Sequence, residues 1–205
     1  VQAIGKIPVS AYLTDRVDFA TFSGHKFHAV RGVGFVYKKA GKKITPFLTG
    51  GGQEKDLRST TENVAGIASM AKALRLVTDK EEFSLPKIAK MKKIIFDELA
   101  KYEDITIFSG EGEDFAPNIL TFGIKGVRGE VVVHAFEEHQ IYISTTSACS
   151  SKAGKPAGTL ISMGIPTKLA QTAVRISLDD DNDMGQVEQF LTIFKQVYAK
   201  TQKVR

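Results

Sequence analysis

Two short runs rich in β-branched and aromatic residues, VDFATF (17–22) and GVGFVY (32–37), read as buried strands with glycine at their margins. Between them stand Ser23, Gly24, His25 and Lys26. A lysine in such a place needs a reason, because burying an unpaired ammonium is costly. Either the side chain reaches water, the ordinary fate of lysine, or the amine has chemical work to do.

The neighbours favour chemistry. Ser23 and His25 offer hydroxyl and imidazole groups suited to an anion, and Gly24 permits close backbone approach. A lysine held against apolar walls has a depressed amine pKa, the property Schiff-base chemistry requires. The cluster therefore points to pyridoxal phosphate, with its aldehyde on Lys26 and its phosphate near Ser23 and His25.

The first section alternates strand-like runs with glycine-rich loops. FLTGGGQEKDLRSTTEN (47–63) is too long and polar for a plain turn, and Arg58, Ser59, Thr60 and Thr61 follow its glycines in a manner suited to phosphate. It is not a Walker A loop, since no Gly-Lys-Ser/Thr follows. Val64, Ile67, Ala68, Ala71, Leu74 and Val77 then recur at helical spacing. A boundary is expected near TDKEEF (78–83), giving domains at 1–78 and 79–205. Beyond it the pattern predicts a helix over 85–102, strands at ITIF (105–108) and NILTFGI (118–124), and a helix at GEVVVHAFEEH (129–139). Strands at IYIS (141–144) and TAVRISL (172–178) follow. A last helix carries Met184, Val187, Leu191, Phe194 and Tyr198 on one face, and acidic DDDND precedes it, where negative charge favours a helix N-terminus. This order predicts a small α+β domain with helices on one sheet face.

Composition narrows the function. No apolar run approaches the ~20 residues of a membrane span. One cysteine in 205 residues excludes an internal disulfide framework and a cysteine-only metal site, and fits a reducing, cytoplasmic setting. The net charge of +5 is spread over scattered lysines without interleaved aromatics, so direct nucleic-acid binding is not expected. His25 and His28 lie three apart and His134 and His139 five apart, with no carboxylate spacing that completes a metal site. The opening VQAIGKIPV reads as the middle of an element, so the sequence is expected to be the C-terminal part of something longer.

Two further residues stand out. A free cysteine is usually a small buried hydrophobe, but Cys149 lies among Ser144, Thr145, Thr146, Ser147, Ser150 and Ser151 with Lys152 and Lys155 nearby. Such a polar, positive loop lowers a thiol pKa and suits attack on sulfur. Arg175 interrupts the β-branched run TAVRISL. It is either an edge-strand arginine facing water or a guanidinium fork for a substrate carboxylate.

VQAIGKIPV, VDFATFSGHKFHAVRGVGFVY, GGGQEKDLRSTTENVAGI, PNILTF, STTSACSS and AVRISL stand in the order and spacing of the NifS/IscS-like cysteine desulfurases. The chain resembles the C-terminal half of these class V aminotransferase-group enzymes. The resemblance implies an α/β fold, namely part of the pyridoxal-phosphate transferase fold type I large domain plus a small C-terminal α+β domain. It implies pyridoxal 5'-phosphate as cofactor, with Lys26 as the Schiff-base lysine, Ser23 and His25 at the phosphate, and Gln2 at the ring hydroxyl. Thr61 matches a threonine that reaches the phosphate of the other subunit in a homodimer. Cys149 matches the nucleophile that becomes a persulfide, and Arg175 the arginine that binds the carboxylate of the L-cysteine substrate. The implied product is L-alanine, and the implied partner a sulfur-acceptor protein in iron–sulfur cluster or thio-cofactor biosynthesis. Thr60 and Thr146 stand where the family has glycine, and Thr49 where it has histidine. A divergent pyridoxal-phosphate lyase or aminotransferase, or a non-catalytic piece serving dimerisation or acceptor docking, stays open beside this reading.

Overall fold

The computed structural model describes residues 1–112, 114–145 and 158–204. The chain divides into two compact units, Val1–Phe83 and Ser84–Arg205.

In the first unit a short helix α1 (Val9–Tyr12) precedes an antiparallel pair, β1 (Phe19–Ser23) and β2 (Gly34–Lys38). The pairing runs from Phe19 opposite Lys38 to Ser23 opposite Gly34. Both strands begin two residues later than their β-rich runs, because Val17 and Asp18 form the approach to β1 and the chain reverses at Gly32. The core is small: Ile4, Phe22, Phe27, Met70 and Ala73. Phe22 stacks on Phe35 with ring centroids 4.9 Å apart, and Phe27 meets Phe35 edge-on at 6.4 Å.

Helix α2 (Val64–Leu99) opens with Asn63, whose side-chain oxygen accepts the Gly66 N–H at 3.0 Å and so satisfies one orphan donor of the first turn. The sequence pattern predicts two helices here, one ending near Val77; the structure has one continuous helix through TDKEEF and Pro86. Thr78 explains part of the persistence, since its hydroxyl donates to the Leu74 and Arg75 carbonyls instead of ending the helix. The inward face of the first turns also differs from expectation. Met70 and Ala73 are buried, whereas Val64 and Ile67 are exposed; the apolar stripe is wider than this unit's five-residue core can cover.

The second unit holds a four-stranded antiparallel sheet in the order β3-β4-β6-β5, from β3 (Ile105–Ile107), β4 (Ile119–Ile124), β5 (Ser144–Thr145) and β6 (Ala173–Ser177). One face packs against the Ser84–Leu99 part of α2, against α3 (Gly129–Glu137) and against α6 (Met184–Val204). Small helices α4 (Gly158–Ser162) and α5 (Thr167–Ala170) precede β6. Ile88, Met91, Ile95 and Leu99 meet Leu120, Phe122, Ile124 and Val174, with Phe136, Phe190 and Phe194 filling the space between. Each such side chain contributes about 1.5–3 kcal/mol by leaving water. This is the expected α+β arrangement for the three long helices, whereas α4 and α5 place Leu160 and Ala170 in a small cluster with Ala173 on the other face. Helix α6 starts as the acidic run predicts: Asp183 accepts the Gln186 N–H at 2.9 Å and Gln186 accepts the Asp183 N–H at 3.3 Å, a reciprocal cap. Met184, expected on the buried face, is 38% exposed because it sits in the first turn, ahead of the first core contact at Val187.

Candidate functional site

The turn between β1 and β2 collects three of the expected site residues. Strand alternation sends Phe22 into the core, and a 3₁₀ turn (Gly24–Phe27) then returns Phe27 to the same core. Between these two buried pegs, Ser23 and Lys26 are half-buried and His25 is exposed. The Gly24 N–H donates to the Val33 carbonyl at 2.8 Å, and the turn closes on His28 in the left-handed conformation at φ 70°. A Cβ on Gly24 would lie 2.9 Å from the Val33 oxygen, so only glycine permits this approach. Lys26 is thus not inside a strand. It follows the end of one, on a backbone fixed by two phenylalanines, with part of its side chain open to water.

Gln2 is exposed, two residues before buried Ile4. With Arg58, Thr60 and Lys38, Thr61 lines a cleft of about 970 Å³ that Phe22, Val33, Phe35 and Met70 also line; Ser23, His25 and Lys26 are not among the residues around it. The loop leading to Thr61 turns through Gly52 and three successive left-handed residues, Glu54, Lys55 and Asp56 (φ 51°, 57° and 64°). Thr60 avoids positive φ, which is how this loop accommodates a threonine where the family has glycine.

In the second unit Arg175 occupies the middle of β6, paired with Thr121 of β4 on one side and Ser144 of β5 on the other. It is therefore not an edge-strand residue. The side chain is half-buried, and its Nε is buried without a hydrogen-bond partner among the described residues. Cys149, with Thr146, lies outside the described residues. His134 sits on α3, where Nδ1 meets the Glu137 carboxylate at 2.8 Å, and His139 lies beyond the end of that helix.

One residue escapes a reading of the sequence. Lys92, within the lysine-rich KIAKMKK stretch that reads as solvated surface, is only 6% exposed. Its Nζ donates to the carbonyls of Ala116 at 3.0 Å and Gly110 at 3.2 Å, and lies 6.0 Å from the centre of the Phe115 ring. Burial pushes this ammonium below the usual lysine range, and the Glu111 carboxylate partly restores it. A signal exists in the chain: Lys92 falls four residues after Ile88 and beside Met91, on the inner face of the helix.

Comparison with known proteins agrees with this architecture. The aminotransferase class-V family model matches residues 1–190. A NifS/IcsS protein homolog of Lactobacillus delbrueckii subsp. bulgaricus is 46% identical over 204 residues, covering 100% of this chain and 53% of that protein. Cysteine desulfurase 1 of Trichormus variabilis is 32% identical over 201 residues, covering 98% of this chain and 50% of that protein. The solved structure of a NifS-like protein from Rickettsia africae matches with a TM-score of 0.82 at 32% identity, over 97% of this chain and 52% of that one. The chain spans about half the length of the curated relatives it matches.

Proposed function

The chain belongs to the class-V aminotransferase family, and we propose that it is the C-terminal part of a cysteine desulfurase, converting L-cysteine to L-alanine and passing the sulfur to a cysteine thiol. The observation that carries this reading is the Ser23–Lys26 turn, pinned by Phe22 and Phe27 so that hydroxyl, imidazole and amine leave one short stretch together. We read 1–78 as the C-terminal remnant of a fold type I large domain and 79–205 as the small domain.

The donor set fits pyridoxal 5'-phosphate. A hydroxyl and an imidazole N–H suit a phosphate, and the glycine between them leaves no side chain in the way. Ser23 and His25 would hold the phosphate, Gln2 the ring hydroxyl and Lys26 the aldehyde carbon. When bound, the pyridine ring supplies an electron sink. Lys26 then moves the α-proton of the substrate. Arg175 grips the carboxylate, and its buried Nε, which has no hydrogen-bond partner among the described residues, supports that role. The Cys149 thiolate attacks the substrate sulfur: a sulfur–sulfur bond forms on Cys149, the carbon–sulfur bond breaks, and alanine is the other product. The persulfide passes to a sulfur-acceptor protein for iron–sulfur cluster or thio-cofactor biosynthesis, in the reducing setting that a lone cysteine fits. Among the described residues no helix is long and apolar enough to cross a membrane.

We place Thr61 at the phosphate of a second subunit in a homodimer. Its loop exposes Phe47 (96%), Leu48 and Leu57, apolar surface of the kind that a partner covers. Sedimentation of the protein should show a dimer, and Phe47→Asp should shift it toward monomer.

The decisive test is to incubate the chain with pyridoxal 5'-phosphate, reduce with borohydride and map the peptides. The expected adduct lies on Lys26 and is missing from Lys26→Ala; an adduct elsewhere, or none, removes the basis of the reading. In the active protein Cys149→Ser should abolish cysteine-dependent alanine release, and unchanged turnover would sink the sulfur-transfer step.

A further inference from the structure

The sheet of the second unit has two chemically unlike faces. Along β4, Leu120, Phe122 and Ile124 enter the apolar core, while Ile119, Thr121 and Gly123 take the opposite face by strand alternation. Residues directly opposite on antiparallel strands share a face, with Cβ atoms about 4.5–5.5 Å apart. Arg175 is opposite Thr121 on β4 and opposite Ser144 on β5. The three therefore form a row across neighbouring strands, hydroxyl, guanidinium, hydroxyl, on the face turned away from the core.

This row is not plain solvated surface. Thr121 is 8% exposed, and Arg175 and Ser144 are half-buried. Two residues along β6, Ala173 on the same face is covered by a small apolar cluster with Leu160, Phe108 and Ile165. In that partly dry setting the buried Arg175 Nε has no acceptor among the described residues. A buried donor left unsatisfied is costly, so the arrangement is one that an incoming acceptor completes. A guanidinium only donates, whereas a hydroxyl can accept from it and donate to an anion. A hydroxyl on each side therefore adds donors beside the guanidinium fork where a carboxylate would rest, and a carboxamide would instead bring its own N–H₂ against donors.

We propose that Thr121 and Ser144 are specificity-determining residues that flank Arg175 in a site for the carboxylate of an amino acid. This rests on the reading of Arg175 as the carboxylate-binding residue and adds the residues that make the site select a carboxylate over its amide.

The test follows the Arg175 Nε–H resonance in the ¹⁵N-labelled chain, assigned by its loss in Arg175→Lys, during titration with L-alanine or L-alaninamide. L-Alanine should shift the resonance and L-alaninamide should not. Thr121→Val and Ser144→Ala should each weaken L-alanine binding about five- to tenfold, the worth of one hydrogen bond. Thr121→Ser and Ser144→Thr should retain it, a rescue that a purely structural role for these positions does not predict. Undiminished affinity in both Thr121→Val and Ser144→Ala, with L-alanine still shifting the Arg175 resonance of the wild-type chain, overturns the proposal and leaves the Arg175 reading standing. If L-alanine does not shift the wild-type resonance, the Arg175 reading falls as well. Binding is read without turnover, so neither outcome depends on sulfur transfer.

Discussion

Lys26 and Lys92 show how much a lysine's surroundings decide. Lys26 stands half-buried on a turn pinned by phenylalanines; Lys92 is folded into the protein and capped by two carbonyls. Replacing Lys92 with methionine keeps most of the stem but leaves the Gly110 and Ala116 oxygens without their donor, which should cost about 1 kcal/mol in denaturant unfolding near neutral pH. Because burial lowers the Lys92 pKa from 10.5 in the folded chain, the unfolded chain binds more protons as pH nears that value. The contribution of Lys92 to stability therefore rises with pH through the window just below 10.5, where its burial penalty is relieved. Lys92→Met should lack this rise, and parallel stability–pH curves for the two proteins would contradict it. Its neighbours hide Lys92 in the sequence: Lys90 and Lys93 are exposed, and only the packing of α2 separates the three.

At the level of elements, the turn that carries Ser23, His25 and Lys26 depends on a single backbone approach. Gly24→Ala would push a methyl to 2.9 Å from the Val33 oxygen and must move either the turn or β2. Cofactor adduct formation on Lys26 should then fall, while the amide NMR signals of β4 and β6 stay in place. Loss of both together would mean that the change acts through global unfolding. The cap of α6 offers an independent check. Asp183→Ala removes the acceptor for the Gln186 N–H and should cost about 1 kcal/mol in thermal or denaturant unfolding. Strand and helix types are legible in the sequence because periods of 2 and 3.6 leave clear marks in β4, β6, α3 and α6. The length of α2 is not: acidic residues and Pro86 read as an ending, yet the core contacts of Ile88, Met91 and Ile95 carry the helix on to Leu99.

Across the whole molecule the two units differ in how much core each owns: the cluster of the first unit has five buried residues, and the larger of two clusters in the second has sixteen among the described residues. Local opening free energy follows buried apolar contact. Amides of β1 and β2 should therefore exchange with deuterium well before those of β4 and β6; equal protection would mean that something other than its own apolar core stabilises the first unit. The order of residues already carries the chemistry on offer: a lysine beside serine, glycine and histidine, an arginine in a β-branched run, an acidic helix start, and the two-part order of elements. These depend on residue type and local spacing, which are read along the chain. Folding alone sets Arg175 between Thr121 and Ser144, puts Lys92 inside, and brings Thr61 to a cleft with Lys38, Phe35 and Met70. Those facts come from strand register and helix packing, which join residues far apart in sequence, and no local period encodes such a pairing.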